Sequence, residues 1–195
     1  LQLSANRESE RLMLELRERA GDSMSKEEKI TALLIESDIA SADRNLDEAS
    51  ALLSQALELS PADGNARVKL GQILVERAEI SESDAGVEAL KADARTQFLL
   101  AADDRDDDVA YQANLKFAQL LVKDQQYLKA LPKLEAAVRL KSGSKQSIEQ
   151  YLRRVQRAAD AEKARKEREE LEREERLEAA EKAAEQAEAE KEGGK

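Results

Sequence analysis

Residues 46–61 read LDEASALLSQALELSP, and their spacing decides the fold class. Ala49, Leu53 and Ala56 stand at i, i+4 and i+7, so they share one face of a 3.6-residue helix. A small, large, small stripe lets a neighbouring helix approach at two points and interlock between them. The stripe returns at Ala94, Phe98 and Ala101, 45 residues on, and again at Ala130, Leu134 and Ala137, 36 residues further. Recurrence on that scale marks a repeated helix pair in which each copy buries its face against the next. Ser60 ahead of Pro61 closes the first copy, because proline pushes its predecessor out of the α region.

Composition agrees with helices. Of 195 residues, 41% are hydrophobic but only 3% aromatic, so leucine and alanine must build the core, which favours helix packing over a sheet. The net charge of −10 disfavours nucleic acid or an anionic membrane as the main partner, since phosphate binding needs clustered Lys and Arg. Cysteine is absent, which excludes disulfides, thiolate catalysis and cysteine metal sites but leaves the compartment open. Histidine is absent too, removing the commonest general base and neutral metal ligand. No apolar run approaches the ~18 residues of a membrane span. The chain starts at Leu1 without methionine and is expected to be a fragment or processed product, so cytoplasm and a bacterial envelope are both compatible with it.

Working outward, residues 1–28 are expected to hold an N-terminal helix, with Leu12, Met13 and Leu16 as its apolar side and Gly21 as its stop, followed by a linker. Ser25 with Glu28 three residues on is a capping box, opening a helix over about 26–43 that turns at Arg44 and Asn45. A second unit opens at Gly64, and its second helix is delayed by about eleven residues, EISESDAGVEA, near 79–89. That insertion lengthens the hairpin as extra helical turns or as a loop. In the third unit Pro132 falls inside the expected second helix, where a kink or a later helix start is expected.

Leu33, Ala40, Leu46, Ala49, Leu53, Ala56, Leu57 and Pro61 together resemble a tetratricopeptide repeat, the thirty-four-residue antiparallel helix pair. Leu70, Gly71 and Leu74 match its first helix in the second unit; Phe117, Ala118, Leu121 and Tyr127 match in the third. Departures are Ser37 in place of glycine or alanine, Ala40 in place of tyrosine, and Asp106 in place of the closing proline. The resemblance covers about residues 29–144, as units 29–62, 64–107 and 109–144, and implies an all-α, right-handed solenoid. A capping helix is expected over 145–160, facing the stack with Ile148, Tyr151, Leu152, Val155 and Ala159. Residues 161–195 are almost entirely Glu, Lys, Arg and Ala, with Leu171 and Leu177 six apart and so without an a/d heptad. An extended charged helix is expected there, laced by pairs such as Glu169 with Arg173 and Glu172 with Arg176. Continuous with the cap, it would reach on the order of 60 Å.

The resemblance implies a groove lined by the first helix of each pair. Its positions are Thr31, Leu34, Asp38 and Ser41, then Asn65, Val68, Lys69 and Gln72, then Gln112, Leu115, Lys116 and Gln119. Amides with two lysines suit an extended peptide carrying acidic groups. Some domains of the family clamp a C-terminal carboxylate, but Ile35 and Asp38 stand where cationic or amide partners are wanted. The acids at 103–108 do not form a calcium loop: counted from Asp104, the sixth and twelfth places hold Val109 and Leu115 instead of Gly and Glu. They suit the start of the next helix. Tyr111, Tyr127 and Tyr151 remain available for chemistry, yet no acid/base pair, phosphate loop or metal cluster is spaced for it. The expectation is a non-enzymatic protein–protein interaction scaffold without cofactors. Its alternatives are a chaperone or adaptor binding peptides transiently, and a helical strut or oligomerisation element acting through the tail.

Overall fold

The computed structural model describes residues 24–141 and 146–193, so the helix expected before Ser25, the end of the third unit and the last two residues lie outside the described residues. Among the described residues there are seven helices and no strand: α1 (Lys26–Ala42), α2 (Leu46–Leu59), α3 (Gly64–Ile80), α4 (Asp84–Ala101), α5 (Asp107–Lys123), α6 (Tyr127–Leu140) and α7 (Gln146–Gly193). The protein is all-α. Each helix packs on the next in sequence, and α3 also packs on α5.

The three stripes are buried between these helices. All nine of their residues are at most 1% exposed. Phe98, Leu53 and Leu134 are the largest side chains so enclosed, each burial contributing about 1.5–3 kcal/mol. Phe98 needs room that the smaller Leu53 and Leu134 do not. A Cβ on Gly71 would lie 2.5 Å from the Phe98 ring, so glycine is required for α4 to close on α3. The equivalent places carry Ala118, fully buried, and Ser37, whose hydroxyl donates to Leu34 O at 2.7 Å.

Caps and turns follow local chemistry. Ser25 and Glu28 form the reciprocal capping box at α1. Asp106 starts α5 by accepting from Asp108 N at 2.8 Å and Val109 N at 3.3 Å, which accounts for the acid run. α1 and α5 end alike: Arg44 and Gln125 take φ of 61° and 57°, while Asn45 N donates to Ala40 O and Gln126 N to Leu121 O, both at 2.8 Å. These are Schellman endings made without the usual glycine, at about 1–2 kcal/mol each. α6 starts at Tyr127, well ahead of Pro132, so the later start expected there does not occur. Gln126 O holds the first turn instead, accepting from Lys129 N and Ala130 N, both at 3.1 Å.

The insertion is helical. α3 runs nine residues past Gly71, whereas α1 runs five past Ser37 and α5 five past Ala118. α4 begins ten residues before Ala94, whereas α2 and α6 begin three before Ala49 and Ala130. Four extra residues in α3 and seven in α4 account for all eleven, about one turn and two turns. The linkers at 43–45, 81–83 and 124–126 stay equally short.

Those added turns reach both neighbours. Arg77 bonds back to α2, 2.6 Å from Asp47 and 3.1 Å from the Ser50 hydroxyl. Glu79 pairs forward with Lys123 of α5. Just past the added turns, Lys91 and Arg95 hold Asp124, the residue ending α5, at 2.6 and 2.5 Å. Burial pushes the Asp124 carboxyl up, but the hydrogen bonds from Lys91 and Arg95 outweigh it and hold it below its ordinary value. Lys91 is raised, chiefly by its hydrogen bond to Asp124.

α7 covers the end of the third helix pair. Ile148, Val155 and Ala159 are buried, and Tyr151 and Leu152 pack with Leu121, Ala130 and Leu134. From residue 163 to 183 every residue is exposed, Leu171 and Leu177 by 55% and 56%.

Candidate partner-binding groove

Three of the sequence-derived groove residues meet in one cleft. Gln72 on α3 faces Lys116 and Gln119 on α5, across an open cleft of about 330 Å³. The same helical period carries the walls further. Glu76 and Glu79 follow Gln72 at i+4 and i+7, and Lys123 follows Lys116 at i+7. Val75, Phe98 and Leu120 form an apolar floor, of which Phe98 and Leu120 are 1% and 2% exposed. The family positions stop at Gln72 and Gln119, so reading by resemblance misses Val75, Glu76, Glu79 and Lys123. Continuing the period from Gln72 and Lys116 would have found them.

Amides and charges of both signs thus surround an apolar floor. Gln72 and Gln119 can each donate to and accept from an extended backbone. Lys116 and Glu76 have no ion-pair partner among the described residues, so each can meet an opposite charge on a ligand. The pair of Lys123 and Glu79 closes one end of the cleft, with the two side chains 62% and 53% exposed. A pair so solvated is worth at most about 1 kcal/mol, and a ligand can open it cheaply.

The other groove positions divide by burial. Val68 is 4% exposed and packs with Ala101, Val109 and Ala113, so it is core and not open groove surface. Leu34 packs on the core formed around Leu53 and Phe98, and Leu115 on the core around Leu134. Thr31, Asn65 and Gln112 are exposed, and the Thr31 hydroxyl donates to Glu27 O at 2.9 Å. Ser41 is half-buried. Asp38 and Lys69 pair with one another, joining α1 to α3. Lys69 is therefore committed to a neighbour, whereas Lys116 is not.

The tyrosines have packing partners. Lys141 lies over the Tyr111 ring at 4.5 Å and Arg154 over Tyr151 at 5.1 Å. Burial raises the Tyr151 hydroxyl above its ordinary value, against the opposing charge of Arg154. Tyr127 packs against the α5 and α6 core. Among the described residues, no group of three His, Cys, Asp or Glu side chains is placed to hold a metal ion, and no helix is long and apolar enough to cross a membrane.

Comparison with protein-family models, curated proteins and solved structures gives no match for this chain.

Proposed function

We propose that this chain is a non-enzymatic protein-interaction scaffold, a tetratricopeptide-like right-handed solenoid that holds an extended segment of a partner protein within a larger assembly. The observation that carries this reading is the cleft between α3 and α5, where Gln72, Lys116 and Gln119 stand over an apolar floor. Peptide binding of this kind uses main-chain hydrogen bonds for affinity and pockets for selectivity, and an amide-lined wall above Val75 and Leu120 suits both. Lys116 and Glu76, unpaired among the described residues, favour a partner segment that carries an acidic and a basic residue on either side of an apolar one.

A second reading keeps the fold and makes the tail an extended single helix serving as a strut. It is favoured by α7, whose helix runs from the cap to Gly193 with every residue exposed from 163 to 183. In that reading the groove holds one partner and the strut sets its distance from another.

Affinity capture from the native source, repeated with a Gln72→Ala/Lys116→Ala/Gln119→Ala variant of unchanged helicity, tests the groove. The partner recovered should bind the variant at least about tenfold more weakly, as three polar contacts of about 0.5–1.5 kcal/mol each imply. Equal affinity for the two chains would refute the groove. Deleting residues 161–195 should leave that affinity unchanged, and its loss would move the binding surface to the tail.

A further inference from the structure

α6 begins without a cap of its own, because Gln126, at the N-cap position, makes no side-chain hydrogen bond. The open N–H groups of a first turn carry the positive end of the helix dipole and call for an acceptor. Here the acceptor comes from another helix. Glu162 of α7 accepts from Leu128 N at 3.2 Å through Oε2, and Lys166 donates to its Oε1 at 2.6 Å. The Lys166 hydrogen bond, with smaller help from the N–H groups of Leu128 and Tyr127, holds the Glu162 carboxyl below its ordinary value against the effect of burial.

Position gives this contact its consequence. Among the α7 residues up to 183, Ala159 is the last fully buried one and Glu162 the last not fully open to solvent. Its side chain is 10% exposed, against 64% for Glu167 and 66% for both Glu169 and Glu172. One turn past the apolar packing of the cap, a single carboxylate therefore ties α7 to the body. Beside it lies an open cleft lined by Gln125 and Tyr127 on the body and by Ala161, Arg165 and Glu169 on α7.

We propose that Glu162 is a latch that sets the angle at which the charged half of α7 leaves the helix pairs, by seating its carboxylate on the uncapped first turn of α6. With the latch closed, the docked part of α7 extends through Glu162. With it open, the last docked turn lifts away and the pivot retreats to Ala159. The proposal does not depend on what the groove binds.

The chain contains no cysteine, so spin labels go only where cysteines are introduced. Labels at Asp93→Cys in α4 and Glu174→Cys in α7 report the tail angle by double electron–electron resonance. The otherwise unsubstituted chain should give a narrow distance distribution, and Glu162→Ala a clearly broader one. Glu167→Ala, on the same helix but in solvent, should leave the width unchanged. Amide exchange at Leu128 should quicken about fivefold in Glu162→Ala, the effect of losing one helix cap. An unchanged distribution in Glu162→Ala overturns the proposal even if Leu128 exchanges faster, since the contact would then cap α6 without setting the angle. Should Glu162→Ala lose helicity, Glu162→Gln keeps the side-chain volume, removes the charge and is judged by the same width.

Discussion

In the α3 and α4 pair, charged side chains reach across to other helices; along α7 from Lys163 to Lys182, the ion pairs among the described residues lie within the helix itself. Asp124 is 10% exposed and is held by Lys91 and Arg95, themselves 25% and 26% exposed, at 2.6 and 2.5 Å. Lys163 with Glu167, Arg165 with Glu169, Arg176 with Glu172 and Lys182 with Glu178 sit at i, i+4, with separations of 3.5–3.9 Å and exposures of 64–83%. The chemistry is the same and the setting differs. A charge pair in water gains little and is screened by salt, while one against a helix surface is shielded and has its partners held for it. The middle pair therefore uses charge to join three units, and the tail uses it to stay helical and solvated.

Three substitutions test that contrast. Phe98→Ala should cost most, about 3–5 kcal/mol by denaturant unfolding, because it empties the best-enclosed site of the middle pair beside Gly71. A loss below about 1 kcal/mol would mean that α3 and α4 do not close as tightly as the Gly71 contact indicates.

Asp124→Asn should cost about 1.5–3 kcal/mol at neutral pH, since it removes the counter-charge of two shielded cations. The pH dependence has a definite sign. Asp124 is lowered in the folded protein, so its contribution is complete above the unfolded value near 3.8 and disappears as pH falls through the lower folded value. Lys91 is raised, so its share is complete below about 10.5 and is lost as pH rises through the higher folded value. The difference between the original chain and Asp124→Asn should therefore be widest between those limits and close on the acid side. A difference that persists undiminished at pH 2 would show that the carboxylate is not its source.

Glu172→Gln should change helix content or stability by only about 0.3 kcal/mol, and 1 M salt should abolish even that. An effect as large as that of Asp124→Asn would erase the distinction between the two regions and point to an unseen partner for the tail.

Much of the fold was legible in the chain because its signals are local. The three stripes mark buried faces by period alone, and all nine residues are buried. Ser25 with Glu28, Ser60 with Pro61, and the acids before Val109 mark helix ends through contacts spanning only a few residues. The cleft lining was half legible. Gln72, Lys116 and Gln119 followed from the resemblance and share a cleft, but Glu79 and Lys123 were hidden because Glu79 falls in the stretch set aside as an insertion. Lys69 looked available until its partner Asp38, 31 positions away, came beside it. No rule of spacing predicts such a meeting.

What the sequence by itself determined is the set of helices and their inward faces, because hydrophobic period and capping act within a few turns. What only the tertiary structure decided is how those helices share their charges. The insertion became added turns whose Arg77 and Glu79 fasten the units on either side, and Glu162 became the cap of a helix it does not belong to. Both depend on which surfaces packing brings within about 3 Å, and that distance is set by the burial of Phe98, Leu53 and Leu134 rather than by any residue's position in the chain.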